Sequence, residues 1–169
     1  MPSESGVNAV NRALRKEELQ FENCVILAAS RFDARVTLRD CVFLKQVELI
    51  WDSQLVLCTI SRALLGGVPT TLTDCIIGDV EVPSRAPGNR MDHCVTFGKA
   101  SSDVQRGNGC SVADPMFRDQ KNLDFRLNPG SPCIGKASDG GDIGCRYTPE
   151  MIELCKIALE LRSRGVIKF

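Results

Sequence analysis

The side chains able to do chemistry are few, and most of them recur at a fixed spacing. Cysteine stands at 24, 41, 58 and 75, a constant step of seventeen residues, inside the apolar frames FENCVIL, LRDCVFL, LVLCTIS and LTDCIIG. Nine cysteines invite disulfides or zinc. The odd count and the absence of a secretory leader in the chain as written argue against a disulfide framework. Zinc sites want paired ligands such as C-x2-C, whereas the repeat leaves sixteen residues between cysteines and His93 is the one histidine. Cys24, Cys41, Cys58, Cys75 and Cys94 are therefore expected to be small buried hydrophobes stacked as a ladder.

The carboxylates are read the same way. Asn23, Asp40 and Asp74 precede three of these cysteines, and Leu57 and His93 break the series. A row of acids can hold calcium, but that ion wants about six to eight oxygens and neighbouring carboxylates repel, so bonding to backbone at a bend is the favoured reading. His93 is expected to be a substituted rung rather than a general base. Asp33 with Arg35, and Glu48 with Asp52, are the groups nearest to a polar site, against the plain alternative of a solvated face. Trp51 is the one side chain suited to stacking a sugar, although corner packing is favoured for it. Asp33, Arg35 and Trp51 are the candidate ligand contacts. Asp139 and Asp142, in SDGGDIG, are weak calcium candidates, since that stretch lacks the alternating acids of an EF-hand and reads first as turn chemistry. No cofactor is expected.

A fixed self-similarity of this length means a solenoid, whose units bury their apolar faces by stacking on each other. Aligned on the cysteine, Phe21, Leu38, Leu55 and Leu72 share one position; Val25, Val42, Thr59 and Ile76 share another; Ile26, Phe43, Ile60 and Ile77 a third. Alternation and β-branching predict a strand, but the Cys-Val-Ile run blurs which face is inward. A second alternating segment follows, with Val47 and Leu49 or Val80 and Val82, so each coil carries at least two strands. A fifth frame, RMDHCVTFG, sets Cys94 nineteen residues after Cys75, the excess lying in the turn-rich VPSRAPGNR at 82–90.

Bulk properties bound the function classes. The 169 residues are 43% hydrophobic and 25% charged, with 21 basic and 21 acidic side chains. One domain spanning 1–169 is expected. The even charge balance gives no general attraction to nucleic acid or anionic membrane, and no apolar run is long enough to span a bilayer. If Met1 is the true start, a cytoplasmic location follows.

The ends predict caps. Residues 5–19 show helical spacing of Val7, Val10, Ala13 and Leu14, and would cover the first of the coils assigned to 20–112. Residues 148–165 form the clearest helix, with Thr148 as N-cap, Pro149 at the first position and Gly165 at the stop. Met151, Leu154, Cys155, Ala158 and Leu161 are its expected buried stripe.

Between coils and helix, residues 113–147 resemble the closing segment of right-handed parallel β-helix proteins of the pectin-lyase-like superfamily. Asp114-Pro115-Met116-Phe117, Asp124-Phe125-Arg126-Leu127, Pro129-Gly130-Ser131-Pro132-Cys133-Ile134 and Asp142-Ile143-Gly144 carry the resemblance. Gly135 and Cys145 depart from it, standing where an acidic residue and alanine are common. Small residues at 133 and 145 imply tight packing, with a Cys133–Cys145 disulfide as the lesser alternative.

The resemblance implies a right-handed parallel β-helix; together with the repeat and the end segments, the expectation is an all-β solenoid of about five short coils with capping helices at both ends. It also implies a family that is usually secreted or at the cell surface, many of whose members bind or cleave polysaccharide. Fold does not transmit activity, and the matched segment carries none of the superfamily's catalytic residues. The leading expectation is a non-catalytic, monomeric module for carbohydrate or cell-surface binding. A polysaccharide lyase or glycoside hydrolase, or a fragment of one, and a filament-forming solenoid are the alternatives.

Overall fold

The computed structural model describes residues 18–66, 69–83 and 88–169. Most of the expected N-terminal cap helix lies outside these residues, and its last two positions, Glu18 and Leu19, belong instead to a strand. The chain winds into a parallel β-solenoid of about five turns. Sheet A stacks β1 (Glu18–Glu22), β4 (Arg35–Arg39), β6 (Ser53–Val56), β8 (Thr70–Thr73), β10 (Arg90–Asp92) and β12 (Gln105–Arg106). Sheet B stacks β2 (Val25–Ile26), β5 (Val42–Leu49), β7 (Thr59–Leu65), β9 (Ile76–Glu81), β11 (Val95–Thr96) and β13 (Ser111–Val112), with β3 (Ser30–Phe32) pairing the far half of β5.

The register reproduces the alignment on cysteine. Phe21 pairs with Leu38, Leu38 with Leu55, Leu55 with Leu72, and Met91 with Leu72. Phe43, Ile60 and Ile77 form the matching inward column of sheet B. Apart from Phe21, which is exposed on the first rung, these side chains, with Val47, Leu49, Ala63, Leu65 and Val80, are buried in one continuous core. β5 departs from the period between Phe43 and Gln46, where two residues face one on β7 and turn the strand around a corner.

The cysteines lie just after a second corner. Asn23, Asp40, Leu57, Asp74 and His93 all adopt left-handed backbone, with φ between 49° and 55°. This is a conformation that Asn and Asp tolerate better than most residues, which explains the residue type without a metal. Each corner N–H still donates to a carbonyl, as from Asp40 to Val56 and from Asp74 to Asp92, so the stack is not interrupted. Cys41, Cys58, Cys75 and Cys94 are buried, and Cys24 is half-buried at the first rung. The thiols of Cys58 and Cys75 each lie between two carbonyls, one two residues back and one on the preceding coil, at 3.2–3.5 Å. The ladder has a further rung, Cys110, which the sequence hides because Gly107, Asn108 and Gly109 replace the apolar frame.

The C-terminal third does more than finish a coil. β14 (Phe117–Asp119) and β15 (Asp124–Leu127) form an antiparallel hairpin. An edge-to-face series from Phe97 to Phe117 to Phe125 links it to sheet B. Residues 133–146 then lie along the outer face of sheet B, where Cys133, Ala137 and Ile143 cluster with Ile76 and Val95. Both faces of these strands are thus buried, which is why Cys-Val-Ile shows no clean alternation. Cys133 and Cys145 are free thiols, so the disulfide alternative is set aside.

Helix α1 (Pro149–Ser163) starts as expected, Thr148 accepting from the Met151 N–H at 3.3 Å. Its buried edge differs from the expected stripe. Met151 and Cys155 are covered, but Leu154 is 57% exposed. Ile152 and Leu159 take its place, facing Leu123, Asp124 and Tyr147 of the hairpin and closing segment.

Candidate functional site

Sheet A carries a polar outer face built by its register. Gln20, Thr37, Gln54, Thr71, Arg90 and Gln105 follow one another along successive rungs, between the inward columns. All but half-buried Thr37 are exposed. Parallel strands place such side chains about 4.8 Å apart, so the row is a repeating set of hydrogen-bonding groups.

The candidate contacts from the sequence border this row, at the corner before β4 and β6. Asp33 pairs with Arg31 at 3.2 Å, and Arg31 also reaches Glu48 at 3.3 Å on the next rung. Arg35 pairs with Asp52 at 3.4 Å. These residues form a charged strip in which Asp33 and Arg35 have separate partners. Its members are mostly more than half exposed, so the pairs contribute little to stability and remain open to solvent. Trp51 sits half-buried in the same corner, its carbonyl accepting from the Ser53 hydroxyl at 2.6 Å.

Asp139 and Asp142 are engaged by the protein itself. Both Asp139 oxygens accept from Arg146 at 2.7 Å, and the guanidinium holds that carboxyl well below the usual carboxylate range. Asp142 accepts from the Gly135 N–H at 3.0 Å. No group of three or more His, Cys, Asp or Glu among the described residues is placed to hold a metal ion.

The corner acids have a task that local reading missed. Asp74 accepts from both the N–H and the hydroxyl of Ser138 at 2.6 Å, and its carbonyl accepts from Gly144 at 2.8 Å. The Thr59 hydroxyl accepts from the Cys145 N–H at 3.1 Å, and Asp40 from the Arg146 N–H at 3.2 Å. The closing segment therefore steps across three coils, from Asp74 to Thr59 to Asp40. Burial raises the Asp40 carboxyl, and the bond from Arg146 opposes that shift. His93 holds the corresponding corner one rung beyond Asp74, with its ring against Gly109.

Neither a protein-family model nor a curated protein matches the chain. Function must be argued from the surfaces themselves.

A cleft lies where the hairpin meets the closing segment. It has a volume of about 480 Å³ and is lined by Arg118, Arg126, Arg146 and Asp142, by Phe125 and Tyr147, and by Leu127, Pro129, Ile134 and Ile143. Arg126 is held bidentate by Asp124 at 2.7 Å, and Arg146 likewise by Asp139. The Tyr147 hydroxyl donates to the Leu123 carbonyl at 2.9 Å, and burial pushes the phenol up. In the sequence these arginines are scattered through 118–146 without periodicity, so no local signal unites them.

Proposed function

We propose that the chain is a non-catalytic, monomeric carbohydrate-binding module, a right-handed parallel β-helix of the pectin-lyase-like type that takes an extended polysaccharide along sheet A. The observation that carries this reading is the outward row of Gln20, Thr37, Gln54, Thr71, Arg90 and Gln105. A linear polymer repeats its hydroxyls, and a row of amides, hydroxyls and a guanidinium repeated once per coil offers partners in series. The strip of Arg31, Asp33, Arg35, Glu48 and Asp52, with Trp51, borders the row and adds charged and aromatic contacts.

A monomer is favoured over a filament by the last rung. Arg106 occupies the register position of the inward column Leu38, Leu55, Leu72 and Met91 and is exposed there. A charge at the end of an apolar column discourages a further chain from stacking on that edge.

The test is retention and cleavage on a panel of neutral polysaccharides and polyuronates, with and without calcium, for the wild type and a Gln54→Ala, Thr71→Ala, Arg90→Ala triple variant. Retention without cleavage, lost in the triple variant, is expected. Cleavage of any member would give the enzyme alternative, and no retention would remove the reading. Light scattering across concentration should report a monomer.

A further inference from the structure

We propose that the cleft between the hairpin and the closing segment is a second binding site, for a small ligand bearing one carboxylate or phosphate on a flat apolar body. It is separate from the row on sheet A: its lining comes from sheet B, the hairpin and the closing segment. Three arginines line it against one acid, Asp142.

The three differ in what they offer. Arg126 and Arg146 are fixed by Asp124 and Asp139, neither of which lines the cleft, so their guanidinium planes are pre-set while much of their charge is answered. Arg118 is anchored through Nε on the Leu127 carbonyl at 3.2 Å and forms no ion pair among the described residues. Its charge is the one left for a ligand. A planar guanidinium recognises carboxylate and phosphate by paired N–H donors, and holding it by its own Nε leaves its terminal nitrogens to make them.

The rest of the lining sets the body of the ligand. Phe125 and Tyr147 supply ring surface, and Leu127, Pro129, Ile134 and Ile143 supply aliphatic wall, in a volume within the range of small-molecule sites. Asp142 on the same surface disfavours a polyanion, so the site takes a single acidic group and not a run of uronates.

Titration calorimetry with benzoate, phenyl phosphate and the neutral benzyl alcohol tests this on the full chain. One or both anions should bind, with benzyl alcohol at least about tenfold weaker, and Arg118→Gln should weaken the anion by at least about tenfold at an unchanged melting temperature. The preferred anion identifies the head group. The sheet A triple variant should bind the anions as the wild type does. Ring proton resonances of Phe125 and Tyr147, followed in the wild type, give a readout that needs no substitution and should shift during the titration. Equal binding of benzyl alcohol, no binding of either anion, an Arg118→Gln protein with wild-type affinity, or shifts confined to other residues would each overturn the proposal.

Discussion

In the coils a contact made once is made again on the next turn: Leu38 meets Leu55 as Leu55 meets Leu72, at a step of seventeen residues. In residues 133–146 each contact is made once, with partners 64, 86 and 106 positions away in Asp74, Thr59 and Asp40. The first region is apolar and redundant, and loss of one rung leaves its neighbours stacked. The second is a strap over the outside of the coils, placed by a few polar anchors and an apolar patch. Repetition gives stability that is distributed, whereas single anchors give a position that one substitution can lose.

Substitutions of graded severity can break or sharpen this contrast. The largest effect should come from Cys41→Asp, which puts an unpaired charge into a fully buried rung and is expected to cost about 3–5 kcal/mol in chemical denaturation. An unchanged melt would refute the stacked interior. Next is Gly144→Ala. Gly144 has φ of 92°, and an added Cβ would lie 2.6 Å from Ile76 Cδ1 and 3.1 Å from Thr59 Oγ1. A loss of about 2–3 kcal/mol is expected. Hydrogen exchange should show protection falling in 133–146 while the core strands keep theirs; a uniform loss would mean that strap and coils unfold together.

Asp74→Ala strands the Ser138 N–H and hydroxyl and should cost about 1–2 kcal/mol by denaturant midpoint. Asp139→Ala, which removes an exposed ion pair to Arg146, should cost clearly less than Asp74→Ala. If the two were equal, the distinction between anchor and surface pair would fail.

Asp40→Asn is the smallest, and its effect depends on pH. Burial puts the folded carboxyl above its unfolded value, so between the two values the folded state binds more protons. The stability this adds is fully present below the unfolded value and is lost as pH rises through the folded one. Asparagine keeps an acceptor for the Arg146 N–H and suits the left-handed corner. The variant should gain less than about 1 kcal/mol at neutral pH, exposure of the carboxylate limiting the effect, and the gap between variant and wild type should open as pH rises through the acid range. Parallel pH–stability curves for the two proteins would refute the assignment.

Much of the coil architecture was legible because each rung repeats the signal. Leu57 shows the limit: it breaks the Asn/Asp pattern yet holds the same left-handed backbone, because the stacked corners above and below impose it. The expected stripe on α1 failed at Leu154 for a related reason. Helical spacing identifies an apolar sector, but the hairpin it meets determines which edge is covered. Asp33, Arg35 and Trp51 were found as exposed or corner groups; the row beside them emerges only when coils are set in register.

By itself the sequence determined the period, the columns of equivalent residues, the cysteine ladder, the bends before it and the C-terminal helix. These rest on local propensity and on neighbours at a constant offset, information that recurs several times along the chain. Only the tertiary structure decided that Asp40, Thr59 and Asp74 hold a strap and that the outer face of sheet B is covered. It alone brought Arg118, Arg126 and Arg146 to one cleft. Those contacts join residues tens of positions apart, each once, and depend on where the chain turns back after the last coil, which no repeating pattern encodes.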